Sequence, residues 1–118
     1  MNTRKVGADG EQKAIDFLIA NGYEIIEKNV HFGKTGEIDI IAKEIDETVV
    51  FVEVKYNRSA KGTFGEPEFR CNAKKIKQIT KLANIYIYDK KLFGKPVRID
   101  VIAIDDKGLR HYKNCLVM

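Results

Sequence analysis

Two short apolar runs carry ionisable groups at positions where a soluble fold normally excludes charge. Gly36-Glu37-Ile38-Asp39-Ile40-Ile41-Ala42 and Val49-Val50-Phe51-Val52-Glu53-Val54-Lys55 otherwise read as core strands. A charge buried without a partner is costly enough that such groups are excluded, paired, or bound to a metal. Asp39 in the first run and Glu53 and Lys55 in the second therefore call for an explanation. Carboxylates are hard oxygen ligands of the kind that suit Mg²⁺ or Mn²⁺. The chemistry these residue types can do together is that of a metal-dependent nuclease: a metal-activated water attacking a phosphodiester.

The elements that carry them set the geometry. Side chains alternate along a strand, so Asp39 and Ile41 are expected on one face and Ile38 and Ile40 on the other. In the second run Phe51, Glu53 and Lys55 share a face opposite Val50, Val52 and Val54. The polar turn Lys43 to Thr48 is short enough to imply an antiparallel hairpin. Centred near Asp46, that hairpin sets Asp39 opposite Glu53, with Cβ atoms about 5 Å apart. Two like charges so close raise each other's pKa unless a cation lies between them. Lys55 could neutralise a phosphate or orient the attacking water; a plain Glu-Lys ion pair is the alternative. Glu11 falls within the stripe of Ala14, Ile15, Leu18 and Ile19 on the first helix, an odd place for a glutamate. A first-turn acid favoured by the helix dipole is the other explanation.

At 118 residues the chain is expected to be a single domain spanning residues 1–118. Its apolar runs are too short to span a bilayer, so no membrane partner is expected. The start, Met1 to Gly7, lacks a signal-like apolar stretch, which makes a cytoplasmic location the expectation. Cys71 and Cys115 lack metal-ligand spacing and are expected to be free thiols. The net charge is +4. Between Arg70 and Tyr88 there are five bases (Arg70, Lys74, Lys75, Lys77, Lys81) and no acid, so the positive excess sits on one segment. That is the pattern of a phosphate-contacting face, although a solvated helix face would look the same.

The periodicity predicts a helix over about 7–21, stopped by Asn21-Gly22, and a strand over Tyr23 to Val30. The two core runs follow, then a polar Gly-punctuated loop from Tyr56 to Gly65. A second helix is expected from about Glu68 to Tyr88, with Pro67 near its first turn and Phe69, Ala73, Ile76, Ala83 and Ile87 on one side. Strands over Val97 to Ile104 and Leu109 to Lys113 close the chain. The fold class is α/β, a mixed central sheet flanked by helices in the order α-β-β-β-α-β-β.

Gly36-Glu37-Ile38-Asp39 followed by Val50-Phe51-Val52-Glu53-Val54-Lys55 resembles the YraN family of predicted endonucleases in the PD-(D/E)XK superfamily. Gly10-Glu11-x-x-Ala14, Gly22-Tyr23, Asn29, Phe64-Gly65 and Arg98-Ile99-Asp100-Val101 fall where that family has similar residues. The core with a helix-borne Glu is also similar to archaeal Holliday-junction resolvases. The resemblance implies a restriction-endonuclease-like core with Asp39, Glu53 and Lys55 as the catalytic triad and Glu11 as an extra metal ligand. It also implies Mg²⁺ or Mn²⁺ as cofactor. Ile38 stands where the superfamily nominally has Pro.

Together these readings give an endonuclease acting on branched or structured DNA. Glu11, Asp39, Glu53 and the Val54 carbonyl would hold metal. Arg58, Lys61, Arg70, Lys74, Lys75, Lys77 and Lys81 would track the nucleic-acid backbone without reading sequence. Paired cuts on a junction would suit a two-fold homodimer. A nucleic-acid-binding module of the same fold without useful catalysis is the alternative. Asp100 beside Arg98 reads as a structural ion pair or a sheet-edge residue in preference to a catalytic one, His31 and His111 as surface residues, and Tyr56 and Phe64 as partial core or base-stacking groups.

Overall fold

The computed structural model of the chain describes residues 3–57 and 72–115. Its elements are α1 (Thr3–Ala20), β1 (Glu24–His31), a short 3-10 turn at Gly33–Thr35, β2 (Glu37–Lys43), β3 (Val49–Asn57), α2 (Ala73–Asp89), β4 (Val97–Asp105) and β5 (Gly108–Tyr112). They form one five-stranded sheet in the order β1-β2-β3-β4-β5. Neighbours are antiparallel except β3 and β4, which run parallel. A parallel pair needs a long crossover, and here the crossover contains α2. The expected mixed α/β fold and element order are both present.

β3 reads as continuously apolar because both of its faces are covered. Val50 and Val52 pack with Ala14, Leu18, Ile40 and Ile102 under α1. Val49 and Phe51 pack with Ile41, Ile99 and the α2 residues Ile76, Ile79 and Leu82. The β2–β3 hairpin has the expected register, from Ile40 opposite Val52 to Lys43 opposite Val49.

α1 ends as the Asn21-Gly22 pair requires. Gly22 is left-handed (φ 89°), and the Tyr23 amide donates to the Leu18 carbonyl at 3.0 Å, closing the helix through its last free carbonyls. Several boundaries and placements differ from expectation. α1 begins four residues earlier, and Ile19 is 56% exposed instead of sharing the buried stripe. α2 begins only at Ala73, because Asn72 is extended and its side chain caps the Lys75 amide at 3.1 Å. Its buried face is Ile76, Ile79, Leu82, Ala83 and Tyr86, while Ala73 is exposed. Pro67 to Phe69 lie outside the described residues.

The expectation of free thiols fails at Cys115, which is disulfide-bonded. Spacing along the chain says nothing about which segments the sheet brings together, and Cys71 lies outside the described residues. No helix among the described residues is long and apolar enough to cross a membrane.

Candidate active site

Asp39 stands one residue beyond the last β2–β3 pair. Continued register would place Ile38 opposite Val54, in position to bond its amide. Instead the Val54 amide donates to Asp39 Oδ2 at 2.8 Å. The carboxylate thus replaces a backbone ladder bond where the two strands part. The strict alternation expected of β2 breaks at the same place. Ile38 packs with Ile41 on the α2 side while Ile40 packs on the α1 side, because nothing in β3 holds the strand to its pleat before Ile40.

Within this opening the Asp39 and Glu53 carboxyl groups lie close to each other. Burial first, then the hydrogen bond and charge of Glu53, push the Asp39 carboxyl up to about 7. The Val54 amide and the positive charge of Lys75 oppose the rise. Glu53 is itself only 12% exposed, and its Oε2 lies 3.4 Å from Lys75 Nζ.

α1 brings Glu11 to the same opening. Burial raises its pKa, the nearby Asp39 charge adds to that, and a hydrogen bond with the Asn29 side chain pulls the other way. Gly10 explains how α1 comes so close. A Cβ there would stand 2.7 Å from Tyr56 Cδ2, so only glycine lets the helix lie against β3. Asn29 reaches Glu11 from β1 with a left-handed backbone (φ 53°), a conformation asparagine tolerates better than most residues.

Lys55 shares its side of β3 with Glu53 and lines an open cleft of about 510 Å³ with Asn72, Lys74, Lys75 and Gln78 of the α2 N-terminus. Gln78 ties that helix to the loop before β2 by donating to the Thr35 carbonyl at 3.0 Å. The first turn of α2 contains no acid, and Lys74 and Lys75 stand at the positive end of the helix dipole, where cations are disfavoured. A helix N-terminus with added lysines is a place for an anion.

The structure therefore gathers Asp39, Glu53, Lys55, Val54 and Glu11 at one end of the sheet. It brings Lys75 in as a direct partner of Glu53, a role its place in a basic helix did not reveal. Lys74, Lys77 and Lys81 are exposed on α2; Arg58, Lys61 and Arg70 lie outside the described residues, as does Phe64. Among the described residues no three His, Cys, Asp or Glu side chains stand close enough to form a complete metal cage. Two carboxylates and a backbone carbonyl still suit a Mg²⁺-type ion, which keeps several waters. Because a strand residue directs its N–H and C=O to the same neighbour, the Val54 carbonyl leaves β3 on the side where its amide meets Asp39. Asn29, Asn72 and Gln78 also contribute to the site, beyond what the sequence indicates. Only the Asn72 cap had a local signature, an Asn ahead of a helix.

Arg98 and Asp100 form the expected ion pair, with Arg98 Nε 2.8 Å from Asp100 Oδ1. The pair belongs to a larger network. Arg98 also reaches Glu44 at 2.7 Å and the Tyr23 hydroxyl at 2.7 Å, and Asp100 accepts the Asn114 amide at 3.0 Å. His111 is not a surface residue: its side chain is 8% exposed and its Nε2 lies 2.7 Å from Asp100 Oδ2. The β4–β5 hairpin carries it inward, a pairing that the sequence distance between Asp100 and His111 does not announce. His31 is exposed as expected. Tyr56 is partly buried against the α1-side core.

A model of the family described as "Uncharacterised protein family UPF0102" matches residues 10–104. A UPF0102 protein of Thermodesulfovibrio yellowstonii is 47% identical over 110 residues, covering 93% of this chain and 94% of that one. The chain belongs to the UPF0102 family. This bears out the YraN resemblance, and the UPF0102 match takes in Glu11, Asp39, Glu53, Lys55 and all of α2. A UPF0102 protein of Caldicellulosiruptor bescii is 48% identical, covering 88% of this chain and 85% of its own. Among solved structures, SSO0001 aligns with a TM-score of 0.47 at 20% identity, over 95% of this chain and 52% of that one. EndoMS in its dsDNA2 complex aligns with a TM-score of 0.46 at 17% identity, over 76% of this chain and 34% of that one. The chain thus spans about half and about a third of those two proteins.

Proposed function

We propose that this UPF0102 protein is a Mg²⁺- or Mn²⁺-dependent endodeoxyribonuclease that acts on branched or structured DNA. The observation that carries the reading is the Asp39–Glu53 contact at the β2–β3 opening, flanked by lysines from β3 and α2. Two carboxylates this close repel each other when both are ionised, and a cation between them relieves that repulsion. A divalent ion held by Asp39, Glu53 and the Val54 carbonyl, with Glu11 behind them, would make a bound water nucleophilic near neutral pH and offset charge on the phosphate.

The chain's own groups do the rest. Lys55, in the cleft, holds a non-bridging phosphate oxygen and stabilises its growing charge. Lys75 and the positive end of the α2 dipole bring a second positive field to the same phosphate. Lys74, Lys77 and Lys81, with Arg58, Lys61 and Arg70, follow the backbone and position the substrate without reading bases.

The test is a cleavage panel of single-stranded, duplex, flap and four-way DNA with Mn²⁺ or Mg²⁺. Wild type is expected to cut. Asp39→Asn, Glu53→Gln and Lys55→Ala should each lose roughly a hundredfold or more in rate. Cutting by Glu53→Gln at the wild-type rate would defeat the assignment. A second reading, a nucleic-acid-binding module without catalysis, is favoured by one observation: no ready-made three-acid cage exists among the described residues. Metal-independent DNA binding with no cleavage of any substrate would select it.

A further inference from the structure

The exposed lysines of α2 lie on one outward stripe, and that stripe ends in two exposed aromatic rings. Lys74, Lys77 and Lys81 are exposed and spaced to share a helix face. The face continues to Tyr88, 76% exposed, which meets Phe93, 64% exposed, edge to face with ring centroids 6.0 Å apart. Phe93 is brought alongside by the turn that closes α2, in which the Leu92 amide donates to the Ile87 carbonyl at 2.9 Å. The left-handed residue of that turn is Lys91 (φ 57°), where glycine is the usual occupant and a side chain is strained. From Ala73 to Lys91 the only acid is Asp89.

The two rings in contact form one apolar spot at the end of a lysine stripe, and that combination indicates the partner. A second copy of this chain meeting the stripe across a two-fold axis would set lysine against lysine. A nucleic-acid strand satisfies both halves of the surface: phosphates for the lysines and base faces for the rings. Bases inside a duplex are already stacked, so the rings can take a base only from an unpaired strand. We propose that the outer face of α2 and its closing turn bind an unpaired nucleic-acid strand, with phosphates along Lys74, Lys77 and Lys81 and a base on the Tyr88–Phe93 pair. This deepens the nuclease reading and rests on it for the direction of the strand toward the site. From Lys75 beside Glu53 to Tyr88 is about 20 Å along the helix, roughly six nucleotides at stacked spacing.

The experiment is fluorescence anisotropy in EDTA, using labelled duplexes with single-stranded tails from about two to about twelve nucleotides. Affinity should climb with tail length and level off near six. Tyr88→Ala and Phe93→Ala should weaken long-tailed DNA about tenfold and leave blunt duplex unchanged, while Tyr88→Phe retains the gain. Because the chain has no tryptophan, Tyr88→Trp supplies a single reporter whose emission tailed DNA should quench and blunt DNA should not. Affinity independent of tail length, equal losses on blunt and tailed DNA, or an unquenched reporter would overturn the proposal. So would a wild-type dimer in sedimentation that Tyr88→Ala splits into monomers. Since no metal is present, tail binding that survives alongside a failed cleavage panel would end the nuclease reading alone.

Discussion

Asp39 does two jobs with one carboxylate. It takes the backbone hydrogen bond that would have continued the β2–β3 ladder, and it stands beside Glu53, whose charge helps raise its pKa. Its pKa is raised from an ordinary 3.8 to about 7, so between those values the folded chain binds a proton that the unfolded chain has released. The stability owed to this group therefore falls as pH rises from about 4 to 7 and stays low above that. Asp39→Asn preserves an acceptor for Val54 and supplies a neutral donor to Glu53. At pH 8 without metal it should raise the melting temperature by several degrees, with little effect near pH 4. The same shift at both pH values would show that the pair carries no suppressed charge.

At the scale of elements, the hairpin was legible because β3 is buried on both faces and the turn from Lys43 to Thr48 is short. Those two facts fix the register from Ile40 to Lys43, which brings Asp39 up to Glu53 where the ladder ends. The break in alternation at Ile38 was not legible, since it follows from a side chain displacing a ladder bond. Nor was the part played by Lys75, which depends on how α2 lies across the sheet. Glu11 was legible from its place in the stripe, but Asn29 was not, because nothing local marks it as a partner for a residue of another element. For α2 the test is electrostatic. Changing Lys74 and Lys77 to Ala should weaken DNA binding and flatten its dependence on salt by about 0.9 of a log-log slope unit for each phosphate no longer neutralised. An unchanged slope would mean that this face does not meet the backbone.

At the scale of the molecule, the sheet carries polar chemistry at two places with different consequences. The Arg98–Asp100 network joins Tyr23, the hairpin turn at Glu44, β4, β5 and Asn114. Asp100 is fully buried. Hydrogen bonds from His111, Arg98 and the Asn114 amide outweigh that burial and hold its pKa below the usual value. Its contribution to stability is present above the ordinary carboxylate range and is lost as pH falls through the lowered pKa. Arg98→Ala leaves that carboxylate with too few partners and should cost about 3–5 kcal/mol in a denaturant melt; a loss below about 1 kcal/mol would mean the network is not structural. Asp39 acts in the opposite sense, its contribution lost as pH rises toward 7, and a divalent ion between Asp39 and Glu53 would offset that loss.

The most direct test is calorimetric titration of Mn²⁺ near pH 7 in two buffers of different ionisation enthalpy. One saturable event is expected in wild type, with a buffer-dependent heat that reports loss of the Asp39 proton, and no such event in Asp39→Asn or Glu53→Gln. Heat no greater than dilution, or the same binding in wild type and both variants, would contradict the account.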